Sequence, residues 1–192
     1  MDLDFMLGHL PRLLKATTLT IQLTLLSLFF GVFVGAFFAV LRTSKNKILH
    51  LISYYYSYIF RGTPLLVQIF IIYFGFGQVE WIRESFLWVV FKEAYTCAIL
   101  AFTLNTGAYT SEIFRSAFQT INKGFIEAAE GLGMNKINIF FKIKLPIAIK
   151  QSLPAYGNEM ILMLKGTSLA STVTLLDLTG VAKHIISTTF RP

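Results

Sequence analysis

From Ala16 to Leu41 the chain carries no Asp, Glu, Lys or Arg. At ~1.5 Å per residue such a run crosses the ~30 Å hydrocarbon layer with length to spare, so a first membrane span is predicted over 16–41. Gly31 and Gly35, four apart, either permit close helix approach or are ordinary tolerated glycines. Residues 1–15 read as an amphipathic lead-in on the outer side. A second apolar stretch, 48–77, is interrupted by Arg61-Gly62-Thr63-Pro64. Pro64 removes a backbone donor and disfavours helix at Thr63, which predicts a kink or a break. The stretch then divides into an interfacial or steeply tilted segment, 48–60, and a second span, 62–77. A third span, 94–114, contains Asn105, Thr106 and Glu112.

Residues 115–150 are mixed in character. Asn122 can cap a short helix over 123–132, with Gly133 at its C′ position. A second amphipathic piece carries Ile137, Phe140, Phe141 and Leu145 and is expected to stop at Pro146. The fourth span is predicted over 151–165, with Glu159 inside it and Lys165 at its end. Residues 166–192 are Thr/Ser-rich and weakly apolar, and the pattern assigns them no span.

Composition strengthens the membrane reading. Charged residues make up 14% of the 192 positions and apolar ones 55%, with a mean hydropathy of +0.63. A soluble domain carries about a quarter charged residues. The fold class expected is therefore an all-α integral membrane protein. The net charge of +7 raises the question of nucleic acid, and its distribution answers it. Arg42, Lys45 and Lys47 follow the first span, and Arg115, Lys123, Lys136, Lys142, Lys144 and Lys150 punctuate the segment after the third. In 78–93, Glu80, Glu84 and Glu93 offset Arg83 and Lys92. Basic segments stay cytoplasmic, so 42–47 and 115–150 face inward and 78–93 outward, where Trp81 and Trp88 suit an interfacial aromatic belt. Nucleic acid is not an expected partner; the lipid bilayer is.

The chemistry of catalysis is missing from the pattern. Cys97 is the single cysteine and falls inside an apolar span, where a small buried hydrophobe is its expected role. His9, His50 and His184 lack metal-ligand spacing, no metal site is expected, and no serine-nucleophile motif occurs. Asp2 and Asp4 stand where a cleaved signal would be positive. The chain is expected not to be an enzyme.

The strongest motif is Glu127-Ala128-Ala129, then Gly133, Ile143 and Leu145-Pro146. These residues and spacings resemble the EAA signature of ABC-importer permeases: EAA, three residues, Gly, nine residues, Ile, one residue, Leu-Pro. Arg61-Gly62-Thr63-Pro64-Leu65-Leu66-Val67-Gln68, the stretch Ala108–Arg115, and Gly157-Asn158-Glu159 with Lys165-Gly166-Thr167-Ser168-Leu169 resemble the polar amino-acid permeases of the histidine/glutamine/arginine group. The resemblance covers roughly residues 15–190. It implies a single type I importer transmembrane domain, 1–192, with about four to five transmembrane helices and a cytoplasmic coupling loop at about 122–146. Glu127 is then the polar anchor of a coupling helix whose Ala128 and Ala129 present a flat face to an ATP-binding-cassette subunit. No GxxxxGK[ST] loop occurs, so no cofactor is expected on this chain, and ATP and Mg belong to that separate subunit. The further implied partners are a second permease, identical or paralogous, and an extracytoplasmic amino-acid-binding protein. The location implied is the bacterial cytoplasmic (inner) membrane, crossed several times.

Two departures qualify the match. Family members usually carry Asp where Gly166 stands and Pro where Asn122 stands, which weakens an argument for an arginine- or lysine-specific pore. The family also runs about one helix beyond residue 192, so the resemblance implies either a naturally short chain or a last helix outside the given sequence. Polar residues inside a membrane mark a pathway by default. Thr20, Asn105, Asn158 and Glu159 are candidates for the solute route, Glu159 facing an ammonium and Asn105 or Thr20 a carboxylate. The alternative is interhelical tethering, with Glu159 paired to Lys165 or a backbone donor. For Glu112, beside Arg115, a salt bridge is favoured. Arg61 reads as a structural or gate residue supporting the kink at Pro64. The rival class is a membrane scaffold that uses the same loop to hold a cytosolic partner.

Overall fold

The computed structural model describes residues 3–189, which are helical or irregular throughout, with no strand among them. The first helix, α1, runs Leu3–Arg42 without a break at Pro11, so the expected outer lead-in is the first third of one long helix. Thr17, Thr20 and Thr24 donate their hydroxyls to carbonyls four residues back, which keeps them satisfied in an apolar setting.

Helix α2 spans Lys47–Gly62, capped by the Asn46 side chain on the Ile48 amide. Its amphipathy is inside-out. Ser53, Tyr56 and Ser57 are buried, while Ile48, Leu51, Ile52, Tyr55, Tyr58 and Ile59 face outward. The Ser53 hydroxyl donates to Phe38 O at 2.7 Å, Tyr56 Oη to Leu104 O at 2.7 Å, and the Ser57 and Ser111 hydroxyls meet at 2.9 Å. A helix that turns its polar face into the protein has lipid as its solvent.

The predicted kink is a break. Helix α3, Leu65–Phe70, continues through a π turn, Ile71–Gly75, and a 3-10 turn, Phe76–Gln78, at 106° to α2. Two short helices, α4 (Glu80–Arg83) and α5 (Trp88–Phe91), lead into α6, Ala94–Gln119. Helix α6 outruns its predicted end and forms the centre of the molecule. Gly31 and Gly35 of α1 lie against it: a Cβ on Gly31 would overlap the Thr106 methyl, and one on Gly35 would sit 2.6 Å from Thr110 Cβ. Close approach, not tolerance, explains these two glycines.

Helices α7 (Lys123–Gly131), α8 (Lys136–Ile139) and α9 (Leu145–Gly166) follow. Pro146 stops nothing, contrary to expectation. It occupies the first turn of α9, where its missing N–H is harmless, and a π turn over Phe140–Lys144 joins α8 to α9. Beyond α9 a 3-10 segment, Thr167–Val173, ends in left-handed Thr174, and α10 spans Leu178–Thr189. Buried Asp177 caps α10, accepting from the Gly180 amide at 2.9 Å.

By length and apolarity Leu7–Arg42 can cross a membrane alone. The pairs Lys47–Gly62 with Leu65–Gln78, and Lys136–Val173 with Leu178–Thr189, bent by 50°, qualify as broken spans. Helix α6 is long enough but too polar to qualify on composition. Thr103, Asn105, Thr106, Thr110 and Ser111 are buried against its neighbours, with Phe102 and Cys97 in the apolar core.

Candidate functional site

Two regions carry the candidate residues. The first is the helix-turn-helix after α6. Asn122 Oδ1 accepts from the Gly124 amide at 2.9 Å, starting α7, and Gly133 (φ +76°) ends it. Both were legible from local sequence. Along α7, Glu127 and Ala128 are exposed, whereas Ala129 is buried at 3%. The expected flat face of two alanines is thus corrected. Ala129 packs into its own chain, and the outward surface comprises Phe125, Glu127, Ala128 and Glu130. Ile143 and Leu145 are half-buried around the π turn, and Pro146 is exposed.

The second region lies between α2, α3, α6 and α9. Pro64 cannot donate to the carbonyl four residues before it, Phe60 O. Gln68 Nε2 replaces that donor at 2.8 Å and also reaches Thr63 O at 3.0 Å. Asn105 Nδ2 adds a second donor to Phe60 O at 3.1 Å and another bond to Gln68 Oε1 at 3.1 Å. Asn105 is therefore the tether of a broken helix. Gln68 is the residue that holds the break, and Arg61 is not. The Arg61 guanidinium sits over the Tyr109 ring, 5.4 Å from its centroid.

Glu159 is 5% exposed on α9. Its Oε1 accepts from Thr106 Oγ1 at 2.7 Å, and its other oxygen accepts no hydrogen bond among the described residues. Lys165 is exposed at the end of α9, and the alternative Glu159–Lys165 pairing does not form; the tether Glu159 makes is to Thr106. Glu112 pairs with Arg115 as favoured. Thr20 lies elsewhere, accepting from the Leu178 amide at 3.1 Å and so docking α10 onto α1. Asn158 points to the exposed face of α9, away from Glu159. Of the four route candidates, only Asn105 and Glu159 are buried close together, at the Thr106 contact between α6 and α9. Sequence reasoning named Thr106 and Gln68 but gave neither a role. Their signals were modest: a hydroxyl beside Asn105 inside a span, and an amide one helical turn after Pro64.

The apolar-coated bundle, its polar side chains turned inward and a capped amphipathic helix-turn-helix outside it, has the organisation of an integral membrane protein. The chain belongs to the binding-protein-dependent transport system inner membrane component family, whose model matches residues 31–190. The nopaline transport system permease protein NocM of Agrobacterium fabrum is 49% identical over 100% of this chain and 80% of its own length. The octopine transport system permease protein OccM of Rhizobium radiobacter is 45% identical over 99% of this chain and 78% of its own. An amino acid ABC transporter solved with histidines matches at TM-score 0.87 and 36% identity, covering 100% of this chain and 85% of that one. The chain thus has the type I importer transmembrane fold.

Proposed function

We propose that this chain is one permease of a multi-pass inner-membrane importer for amino acids with basic side chains. An extracytoplasmic binding protein delivers the solute, and a second permease completes the route. Cassette ATPase subunits on separate chains bind ATP and Mg, grip α7, and rock the permeases between inward- and outward-facing states. Glu127 and Ala128 are the contact residues on that motor.

The observation that carries the substrate class is Glu159, a carboxylate buried at mid-span with one oxygen on Thr106 and the other without a hydrogen-bond partner. A carboxylate buried with a single neutral hydrogen-bond donor is costly, and a cation passing beside it offsets part of that cost. Gly166 lies against Leu65, so no second carboxylate stands on that stretch of α9, and the charge falls to Glu159 alone. Relatives at 41% identity, named as permeases for arginine and for histidine, lysine, arginine and ornithine, support the same reading.

The test uses the permease co-purified with its cassette subunits in proteoliposomes, with amino-acid-stimulated ATPase and uptake read together. Glu159→Gln is expected to lower uptake of arginine and histidine about tenfold, ~1.4 kcal/mol, while neutral amino acids are unaffected. Unchanged affinity and rate for the basic solutes would remove Glu159 from the route.

A further inference from the structure

We infer that Arg61 receives the α-carboxylate of the transported amino acid, opposite Glu159. The inference rests on the reading of Glu159 as the contact for the solute's side-chain cation, and it fills a role that the bundle leaves open. An amino acid entering the span brings a carboxylate that has to be matched. Of the residues that sequence offered for it, Asn105 is spent on the broken helix and Thr20 on α10.

The break decides where Arg61 stands. Arg61, Gly62, Thr63 and Pro64 are all exposed. Irregular backbone at membrane depth does not face lipid; it lines water or is covered by protein. A charged side chain inside a span follows the same rule and marks a pathway. The Arg61 guanidinium rests on the Tyr109 ring and makes no hydrogen bond or ion pair among the described residues. Glu112, one turn beyond Tyr109, is taken by Arg115. A ring contact occupies the flat face of a guanidinium and leaves its N–H edge free. That edge is the one that grips a carboxylate through two parallel hydrogen bonds.

Tyr109 follows Thr106 by three residues, so the two lie on one face of α6, a turn apart. Thr106 holds Glu159 at 2.7 Å. The same face therefore carries an anion at one turn and a cation at the next, and the two do not pair. Each is held instead by a neutral side chain of α6. Paired, they would neutralise one another and leave nothing for a solute. Held apart, they match the two ends of a basic amino acid, with its carboxylate on Arg61 and its side-chain cation on Glu159.

The test is equilibrium binding to the permease assembled with its second permease and cassette subunits. The binding protein is left out, so that no carboxylate is selected before the membrane. Tritiated arginine is displaced by arginine or by agmatine, which is arginine without its carboxylate. The parent is expected to bind arginine at least tenfold more tightly than agmatine. Arg61→Gln is expected to lower arginine affinity about tenfold and agmatine affinity less than twofold, and Arg61→Lys, which keeps the charge without the fork, to fall between. Equal weakening of both ligands in Arg61→Gln, or none for arginine, would overturn the assignment. Glu159→Gln separates this inference from the reading beneath it, because both ligands keep the guanidinium and are expected to weaken together. If they do so while the parent binds arginine and agmatine alike, Arg61 leaves the route and Glu159 stays. Absence of saturable arginine binding to the parent would remove both. Where Arg61→Gln does not assemble, Tyr109→Leu takes away the ring that positions the guanidinium. It is expected to weaken arginine at least threefold with agmatine unchanged, and Tyr109→Phe to bind as the parent does; an unchanged preference in Tyr109→Leu counts against the site.

Discussion

Gln68 shows how a single side chain lets a helix break inside a membrane. Pro64 leaves Phe60 O without its usual donor, and hydrocarbon offers none. The Gln68 amide supplies it and also binds Thr63, while Asn105 reaches in from α6. Replacing Gln68 by Leu strips Thr63 O of its side-chain donor and leaves Phe60 O to Asn105. A loss of ~1–3 kcal/mol is expected, read as a lower unfolding temperature in detergent. A melting curve identical to the parent's would mean the backbone finds other donors. Glu159 poses the opposite case, a polar group left half-satisfied. Asn105 has both amide hydrogens engaged, on Phe60 O and Gln68 Oε1, whereas one oxygen of Glu159 is left free to meet a solute.

At the scale of elements, α7 is built from local rules. An Asn cap opens it, Gly133 closes it in a left-handed conformation, and Ile126 and Ala129 turn inward while Glu127 and Ala128 turn outward. A β-branched residue at Gly133 is strained by ~1–2 kcal/mol in that conformation, and relief tilts α7 against α8. Gly133→Val is expected to insert and assemble yet hydrolyse ATP with uptake reduced at least fivefold. Parental uptake per ATP in vesicles would disprove the need for this turn. The pairing of α1 with α6 follows a different rule, that of backbone approach. Gly35→Leu forces its side chain onto Thr110 and costs about 3 kcal/mol, so folded protein recovered from membranes should fall sharply. Normal recovery would place the seam's tolerance well above what the contact at 2.6 Å suggests.

Across the whole molecule, the polar and apolar sides are exchanged relative to a soluble protein. Serines, threonines and an asparagine fill the interface of α2, α6 and α9, and phenylalanines and leucines cover the outside. That exchange buries Glu159 of α9 on Thr106 of α6, with the broken α2–α3 as neighbour. The family match over residues 31–190 agrees with this organisation.

Amino-acid order alone determined the membrane class, the break at Pro64, the cap and stop of α7, and the Glu112–Arg115 pair. Each depends on a charge-free run, a ring without an N–H, or neighbours within one helical turn. It misjudged Pro146 because the same missing donor that ends a helix in its middle is harmless in a first turn. Tertiary structure decided the rest: that Thr106 and not Lys165 meets Glu159, that Gln68 and not Arg61 holds the break, that Thr20 docks α10, and that Ala129 faces inward. In a helix as uniformly apolar as α1, periodicity no longer says which way the helix is turned. A polar side chain's partner there is fixed by whichever neighbouring helix packs close enough to offer an acceptor or a donor.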